Sequence, residues 1–361
     1  MKIPLFKQLI LTGATAAVIS LTRVAQADVE VVIAGGNASS SVLFDRATNL
    51  FGGSFTATYG LSSSTVRTYA GTIPGYTTGN TTNLGTVTLD FVLNGAVQGL
   101  QDIEAGNPQL TAEGSDTLPP TLIDSSSTPQ AAQVDPSILN SQPVYVVPYV
   151  FIKNIAAGSA DSAGITNLTA RQAVYLETAG ANIPATFFGG AGTNPVYFIG
   201  RNSGSAVRTE VDANIGNYSG IVTYYTNGLS NTPQLDLSGD PGLSSGSTLY
   251  NTVAAVTNAI GTVSVSNAKS GAARLEYEGV PYAYTNVING SYPLWYYENY
   301  YTLNSQQAGT PSTAQKTVIN LFYSSITNSS YWVSPVYTNN YIPEPVLQVK
   351  RGLDGTLIQL K

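Results

Sequence analysis

The pattern that most constrains this chain is an apolar strand running into a turn of small residues and then a helix, and it occurs twice. Val29-Glu30-Val31-Val32-Ile33 reads as a strand and Ala34-Gly35-Gly36-Asn37 as a tight turn. Ser39 to Phe51 follows as a helix with Val42, Leu43, Ala47 and Leu50 on one face, stopped by Gly52-Gly53. Val196 to Gly200 is the second strand, entering Arg201-Asn202-Ser203-Gly204-Ser205-Ala206-Val207-Arg208 and a helix over Val207 to Ala213. Such units predict an α/β fold.

Between and beyond them the signals are weaker. Residues 54–86, rich in Ser, Thr, Gly and Tyr, read as an irregular or hairpin insertion. Thr86 to Leu93 alternates as a strand, Val97 to Ala105 suits a short helix ended by Gly106, and Ser125 to Gln142 is a polar connection. Val144 to Ile152 is an apolar run broken only by Pro148, which predicts a buried or crossing strand. Asn167-Leu168-Thr169 opens a helix over Ala170 to Leu176, and residues 228–248 read as a long loop. Tyr250 to Ala259 is helical in pattern and Gly261 to Val265 is a short strand. Leu347 to Val349 and Thr356 to Leu360 form a hairpin signal around Asp354-Gly355. No short repeat period is visible, which argues against a solenoid or propeller.

Composition removes whole classes of chemistry. The 361 residues include no His and no Cys, so a Ser-His-Asp triad, a Cys nucleophile, a His-held haem and the usual zinc or iron–sulfur sites are all excluded. A net charge of -6 opposes nucleic-acid binding, which needs clustered Lys and Arg. A carboxylate enzyme survives as an option through Glu276 with Glu278, or Glu298. Residues two apart on a strand share a face, however, so carboxylates opposed across a substrate are not indicated.

Residues 1–27 have the form of a cleavable signal peptide. Lys2 and Lys7 precede an apolar run from Leu9 to Leu21, and Ala25-Gln26-Ala27 has the small-x-small form of a cleavage site. Loss of Lys2, Lys7 and Arg23 from the 15 basic residues, against 21 acidic ones, would take the net charge from -6 to -9. No Cys lies near the cleavage point to carry a lipid, so a soluble periplasmic protein is expected.

Three segments carry candidate chemistry. The Arg201–Arg208 turn joins a helix start, with its unpaired N–H groups, to hydroxyls from Ser203 and Ser205 and a planar cation from Arg201, a set suited to an oxyanion. An ordinary Ser-capped helix with a surface Arg fits the same residues. Gly114-Ser115-Asp116-Thr117-Leu118-Pro119 places an Asp in what is commonly a turn, and Gly35-Gly36-Asn37-Ala38-Ser39 is a glycine turn opening a helix. The tyrosines of Tyr292 to Tyr301 and Tyr323 to Tyr341 suit either carbohydrate stacking and a partner surface or strands half-buried on a sheet.

In order, these segments resemble the periplasmic phosphate-binding proteins of ABC transporters, a branch of the type 2 periplasmic binding proteins. The resemblance covers residues 29–301. It rests on Gly35 to Ser39; on Glu104-Ala105-Gly106 followed by Gly114 to Leu118; and on Val147-Pro148-Tyr149-Val150. Asn167-Leu168-Thr169, Gly200 to Arg208, Asn258 to Gly261 and Asn289 to Leu294 complete it. It implies a two-lobed α/β fold with a cleft between the lobes. Lobe I would comprise 28–145 and 262–361, and lobe II 146–261. It implies no cofactor or metal, no catalysis, and a monomer that captures phosphate or a similar oxyanion for a membrane permease.

By position, the resemblance makes Arg201 the charged partner, Ser205 the hydroxyl and N–H donor, and Asp116 the acceptor of a proton-bearing oxyanion. Ser39 matches the first-turn donor less well. Two departures weaken the match. Ala206-Val207 stands where the family has Gly-Thr, and Gly95-Ala96-Val97 where it has a Ser, so two hydroxyls are missing. A structural or interaction protein that keeps the fold without a transport ligand is the alternative.

Overall fold

A computed structural model describes residues 28–60, 65–77, 83–112, 117–180, 183–227, 231–328, 340–352 and 358–361. The expected signal peptide at 1–27 lies outside them. The chain folds as β1 (Val29–Gly35), α1 (Ser40–Leu50), β2 (Phe55–Tyr59), β3 (Val66–Gly71), β4 (Val87–Val92), α2 (Ala96–Ala105), β5 (Gln109–Leu110), β6 (Thr117–Leu118) and β7 (Leu122–Ser125). Then come β8 (Leu139–Asn154), β9 (Asn167–Leu168), α3 (Ala170–Thr178), β10 (Tyr197–Ile199), α4 (Ala206–Ile215), β11 (Tyr224–Tyr225), β12 (Gln234–Leu235), α5 (Gly246–Ala255) and β13 (Ala259–Ser264). The last part holds β14 (Ala272–Arg274), β15 (Glu276–Tyr277), α6 (Tyr284–Ile288), β16 (Trp295–Leu303), α7 (Thr313–Thr327), β17 (Ile342–Pro343), β18 (Val349–Lys350) and β19 (Gln359–Leu360).

The main sheet runs β10-β13-β8-β16-β7-β1-β4-β3-β2, with β14 and β17 also paired to β8. β1 lies parallel to both β4 and β7, and β10 parallel to β13, as α/β units require. β8 joins the two parts. Its residues 139–148 pair with β16, whereas 149–153 pair with β13, so the strand changes partner between Pro148 and Tyr149. Pro148 lacks an N–H to give to a ladder, which suits it to this handover. The result is a two-lobed α/β fold. Beyond residue 262, Ala272–Arg274 pair with residues 152–154 and Glu276–Tyr277 with Asn167–Leu168.

Burial follows the same plan. Val31 and Ile33 of β1 pack with Val42, Leu43 and Ala47 of α1 and with Val318 and Phe322 of α7. Ala34, on the other face, packs with Val97, Leu100 and Ile103 of α2. Both faces of the strand are therefore covered, as its nearly unbroken apolar run predicts. Tyr292 and, on β16, Tyr296, Tyr300 and Tyr301 are buried core residues, which selects the strand reading of that tyrosine segment. The 54–86 insertion contains the antiparallel β2–β3 hairpin at the sheet edge. Helix α5 starts at Gly246 rather than Tyr250 because Ser245 caps it through the Thr248 N–H. Asp354-Gly355 lies outside the described residues, but β18 and β19 on either side pair as a hairpin requires.

Two glycines let α2 and β7 approach the end of β1. The Cβ that Gly99 lacks would lie 3.1 Å from the Gly35 Cα and N, so α2 rests directly on the strand backbone. Gly35 has φ +147°, and a Cβ there would lie 1.8 Å from the Asp124 carbonyl oxygen. Gly35→Ala is expected to cost on the order of 3 kcal/mol, combining strained backbone with overpacking. The urea unfolding midpoint measures it. A midpoint equal to that of the wild type would show that the ends of β1 and β7 spread freely.

Candidate functional site

The C-terminal ends of the parallel strands meet where the lobes face each other, the usual ligand position in such sheets. β1 ends in Gly36-Asn37-Ala38 before α1, β4 in Asn94-Gly95 before α2, and β10 in Gly200-Arg201 before α4. These turns line one narrow cleft of about 20 Å³: Gly36, Asn37 and Ala38; Asn94, Gly95 and Ala96; Ser126 after β7; and Arg201, Ser205, Ala206 and Val207. Backbone hydrogen bonds tie the first-lobe turns together, with Gly36 N–H donating to the Asp124 carbonyl and Gly95 N–H to the Gly35 carbonyl, both at 2.9 Å. The lobes are close: a Cβ on Gly95 would lie 2.9 Å from the Gly204 carbonyl oxygen.

Each of these helices begins without a side chain capping its first turn. A helix start leaves N–H groups unpaired and carries partial positive charge, so three of them around one cleft make it favourable for an anion. Between them sits Arg201, 8% exposed. Its Nε donates to the Leu243 carbonyl at 2.8 Å and its Nη2 to the Ser244 carbonyl at 2.9 Å. No carboxylate pairs with it among the described residues. Burial lowers the guanidinium to about 10, so it remains a cation at neutral pH. A buried charge without a counter-ion is costly, and an anion in the cleft would relieve that cost.

The sequence-predicted residues separate. Arg201 and Ser205 share the cleft, and Ser205 is the N-cap of α4 with a hydroxyl that makes no cap bond. Ser203 does not join them. It is exposed, its N–H donates to Asp240 at 2.8 Å, and it lines an outer hollow with Arg208 and Thr209. Ser39 is fully buried, and its hydroxyl donates to the Asp124 carboxylate, away from the cleft. Asp116 lies outside the described residues. The nearby Leu118 and Pro119 line a hollow with Val29 and Glu30, at the opposite end of β1 from the cleft. Ser126 takes the place after β7 at the cleft itself. Sequence reading missed it because Leu122–Ser125, a strand of four residues, shows no period.

Beneath the cleft floor lies a second feature, of which the sequence marked only Glu298, as a lone candidate carboxylate. Asp124 at the end of β7 and Glu298 on β16 are both buried and hydrogen-bond each other. Asp124 Oδ1 and Glu298 Oε1 have no hydrogen-bond partner. Two carboxyls in contact need a proton between them. Burial is the main cause that pushes Asp124 up to about 7, partly offset by the Ser39 hydroxyl. Burial and then the Asp124 charge push Glu298 well above the ordinary range. Glu177 on α3 and Asp212 on α4 form a comparable pair in the other lobe, Asp212 being raised to about 6 chiefly by burial. Among the described residues no group of three or more His, Cys, Asp or Glu is placed to hold a metal.

No protein-family model matches this chain, and no curated protein matches it. Solved structures do. A protein from Clostridium perfringens assigned as a phosphate ABC transporter substrate-binding protein, solved with bound phosphate, has a TM-score of 0.54 at 14% identity. The match covers 87% of this chain and 99% of that one. An ABC-type phosphate transport receptor from Vibrio cholerae has a TM-score of 0.53 at 13% identity, over 86% of this chain and 99% of that one. What this chain shares with both is the fold.

The buried carboxyls give stability a definite pH dependence. Folded-state values above the unfolded ones mean that their stabilising contribution is complete below about 4 and is lost as pH rises through about 6 to 7. Wild-type protein should therefore melt at a lower temperature at pH 8 than at pH 5. Asp124→Asn should reduce that difference. A melting temperature that rises with pH, or an unchanged difference in the variant, would contradict the assignment.

Proposed function

We propose that this chain is a non-enzymatic solute-binding protein that captures phosphate or a similar tetrahedral oxyanion between its lobes and delivers it to an ABC-transporter permease. The observation that carries this reading is Arg201, a buried cation with no carboxylate partner among the described residues, held at the meeting point of three helix starts. The donors are mostly backbone N–H groups, supplemented by the Ser205 hydroxyl and the remaining guanidinium nitrogen. Such a site needs neither His nor Cys, which the chain lacks. The bound phosphate of the Clostridium perfringens structure, on the same fold, supports it. The protein would act as a monomer in the periplasm, after removal of residues 1–27.

Size also favours a compact ion. A cleft of about 20 Å³ holds one or two waters, so a sugar or an amino acid does not fit the closed lobes. A five-atom ion enters as the lobes part, and β8, the strand shared by both ladders, is the element about which that motion would occur.

A second reading, a secreted interaction protein that retains the fold without a transport ligand, is favoured by one observation. Ala206-Val207 and Gly95-Ala96-Val97 bring no hydroxyl to the cleft, and Ser39 directs its own toward Asp124. Each absent charge-assisted bond costs about 1.5–3 kcal/mol, or at least tenfold in affinity.

Calorimetric titration separates the two readings. Wild-type protein is expected to bind inorganic phosphate, and Arg201→Ala to weaken binding at least tenfold. Arg201→Lys should also weaken it, since a lysine cannot reach both carbonyls and the ion with one fork. Folded protein that binds none of phosphate, sulfate, molybdate and tungstate would leave only the second reading.

A further inference from the structure

We propose that Asp124 and Glu298 form a proton-holding pair that couples anion capture in the cleft to proton uptake, so that one anion and one proton bind together. This rests on the cleft being the anion site argued above. It adds to that reading two residues and a co-ligand, the proton.

The geometry places the pair immediately behind two residues of the cleft wall, Gly36 and Ser126. Gly36 lines the cleft, and a Cβ placed on it would lie 4.0 Å from Glu298 Oε1. The Glu298 carboxyl therefore lies directly behind the Gly36 turn that lines the cleft. Glu298 is 1% exposed, and its Oε1 has no hydrogen-bond partner. Ser126, also in the cleft wall, hydrogen-bonds Glu298 and accepts from the Tyr149 hydroxyl at 2.9 Å. From the far side the Ser39 hydroxyl donates to Asp124, and Ser39 is the N-cap of α1. A β-bulge in the β8–β16 ladder falls between Glu298 and Asn299, the kind of irregularity that re-aims a side chain.

The surroundings leave the pair's charge to the proton alone. Tyr145 and Tyr149 face it from β8, Tyr300 faces Tyr145 from β16, and Tyr341 faces it from the segment before β17. Burial pushes the Tyr145, Tyr149 and Tyr341 phenols up, Tyr341 to about 12, so they stay neutral. Glu210 of α4 acts on Tyr149 from the other lobe, as does Arg201. No Lys or Arg among the described residues forms a salt bridge with Asp124 or Glu298. With both carboxyls protonated the pair is neutral. With one proton lost, at pH above about 7, it places a negative charge against the cleft floor. An anion in the cleft opposes that loss, and by linkage the proton strengthens anion binding to the same degree.

The test is calorimetry of the full protein with inorganic phosphate between pH 6 and pH 8.5, in buffers of different ionisation enthalpy, which counts the protons taken up. The same titration on the Asp124→Asn/Glu298→Gln double variant removes the contribution of phosphate's own ionisation. Wild type is expected to take up close to one proton more than the variant near pH 8. Its affinity should fall about tenfold more steeply across the range. An infrared difference spectrum of the wild type at pH 8 provides a readout that needs no variant, and phosphate should increase the protonated-carboxyl band. Equal proton counts with no such band overturn the inference and leave phosphate binding intact. Wild-type protein that binds no phosphate at any pH overturns the functional reading, and the coupling with it.

Discussion

The handover along β8 is the constraint on which the other features depend. One strand of sixteen residues belongs to two ladders, and every residue from Val144 to Ile152 is buried. Because β16 runs antiparallel on one half and β13 on the other, the parallel strands of each lobe point their C-terminal ends at the same interlobe space. The cleft is a consequence of that arrangement. No residue at the cleft has to create it, and its lining can therefore vary while the fold persists.

That separation lets the strand ends and helix starts keep their places while side chains diverge, as they have at 13–14% identity to proteins of the same fold. Helix starts offer N–H groups whatever the side chains are, provided the turns before them stay small enough for close approach. Gly35, Gly36, Gly95 and Gly99 meet that condition in the first lobe and Gly204 in the second, since side chains at several of these positions would collide with backbone. Hydroxyls at this cleft come from Ser126 and Ser205 alone among its lining residues.

The parts of the structure written in local pattern were legible in the sequence. β1 with α1, β10 with α4, the glycine stop of α2 and the crossing strand all rest on periodicity or on glycine and proline within a few residues. Arg201 and Ser205 could be placed because they lie on such a unit. The rest depended on pairing between distant segments. Ser126 and Asp124 belong to a four-residue strand recognised only by its position between β1 and β16. Glu298 reads as one acid in a tyrosine-rich stretch until pairing with both β7 and β8 shows that its strand is central and covered. Ser39 was placed at the right turn, but the direction of its hydroxyl is decided by Asp124, a residue 85 positions away.

Electrostatics at the cleft then reduces to a contest between two buried groups of opposite kind. Arg201 is a cation that burial weakens but does not neutralise, whereas the carboxyl pair is an acid that burial holds neutral over part of the physiological range. The chain's net charge of -6 repels anions at long range, so the field from the molecule as a whole cannot draw them in. Discrimination must come from the few ångströms around the cleft. There the Arg charge is constant with pH and the helix starts are fixed by the fold, so on the proposed reading the proton on the pair is the protein's own pH-dependent contribution behind the cleft wall.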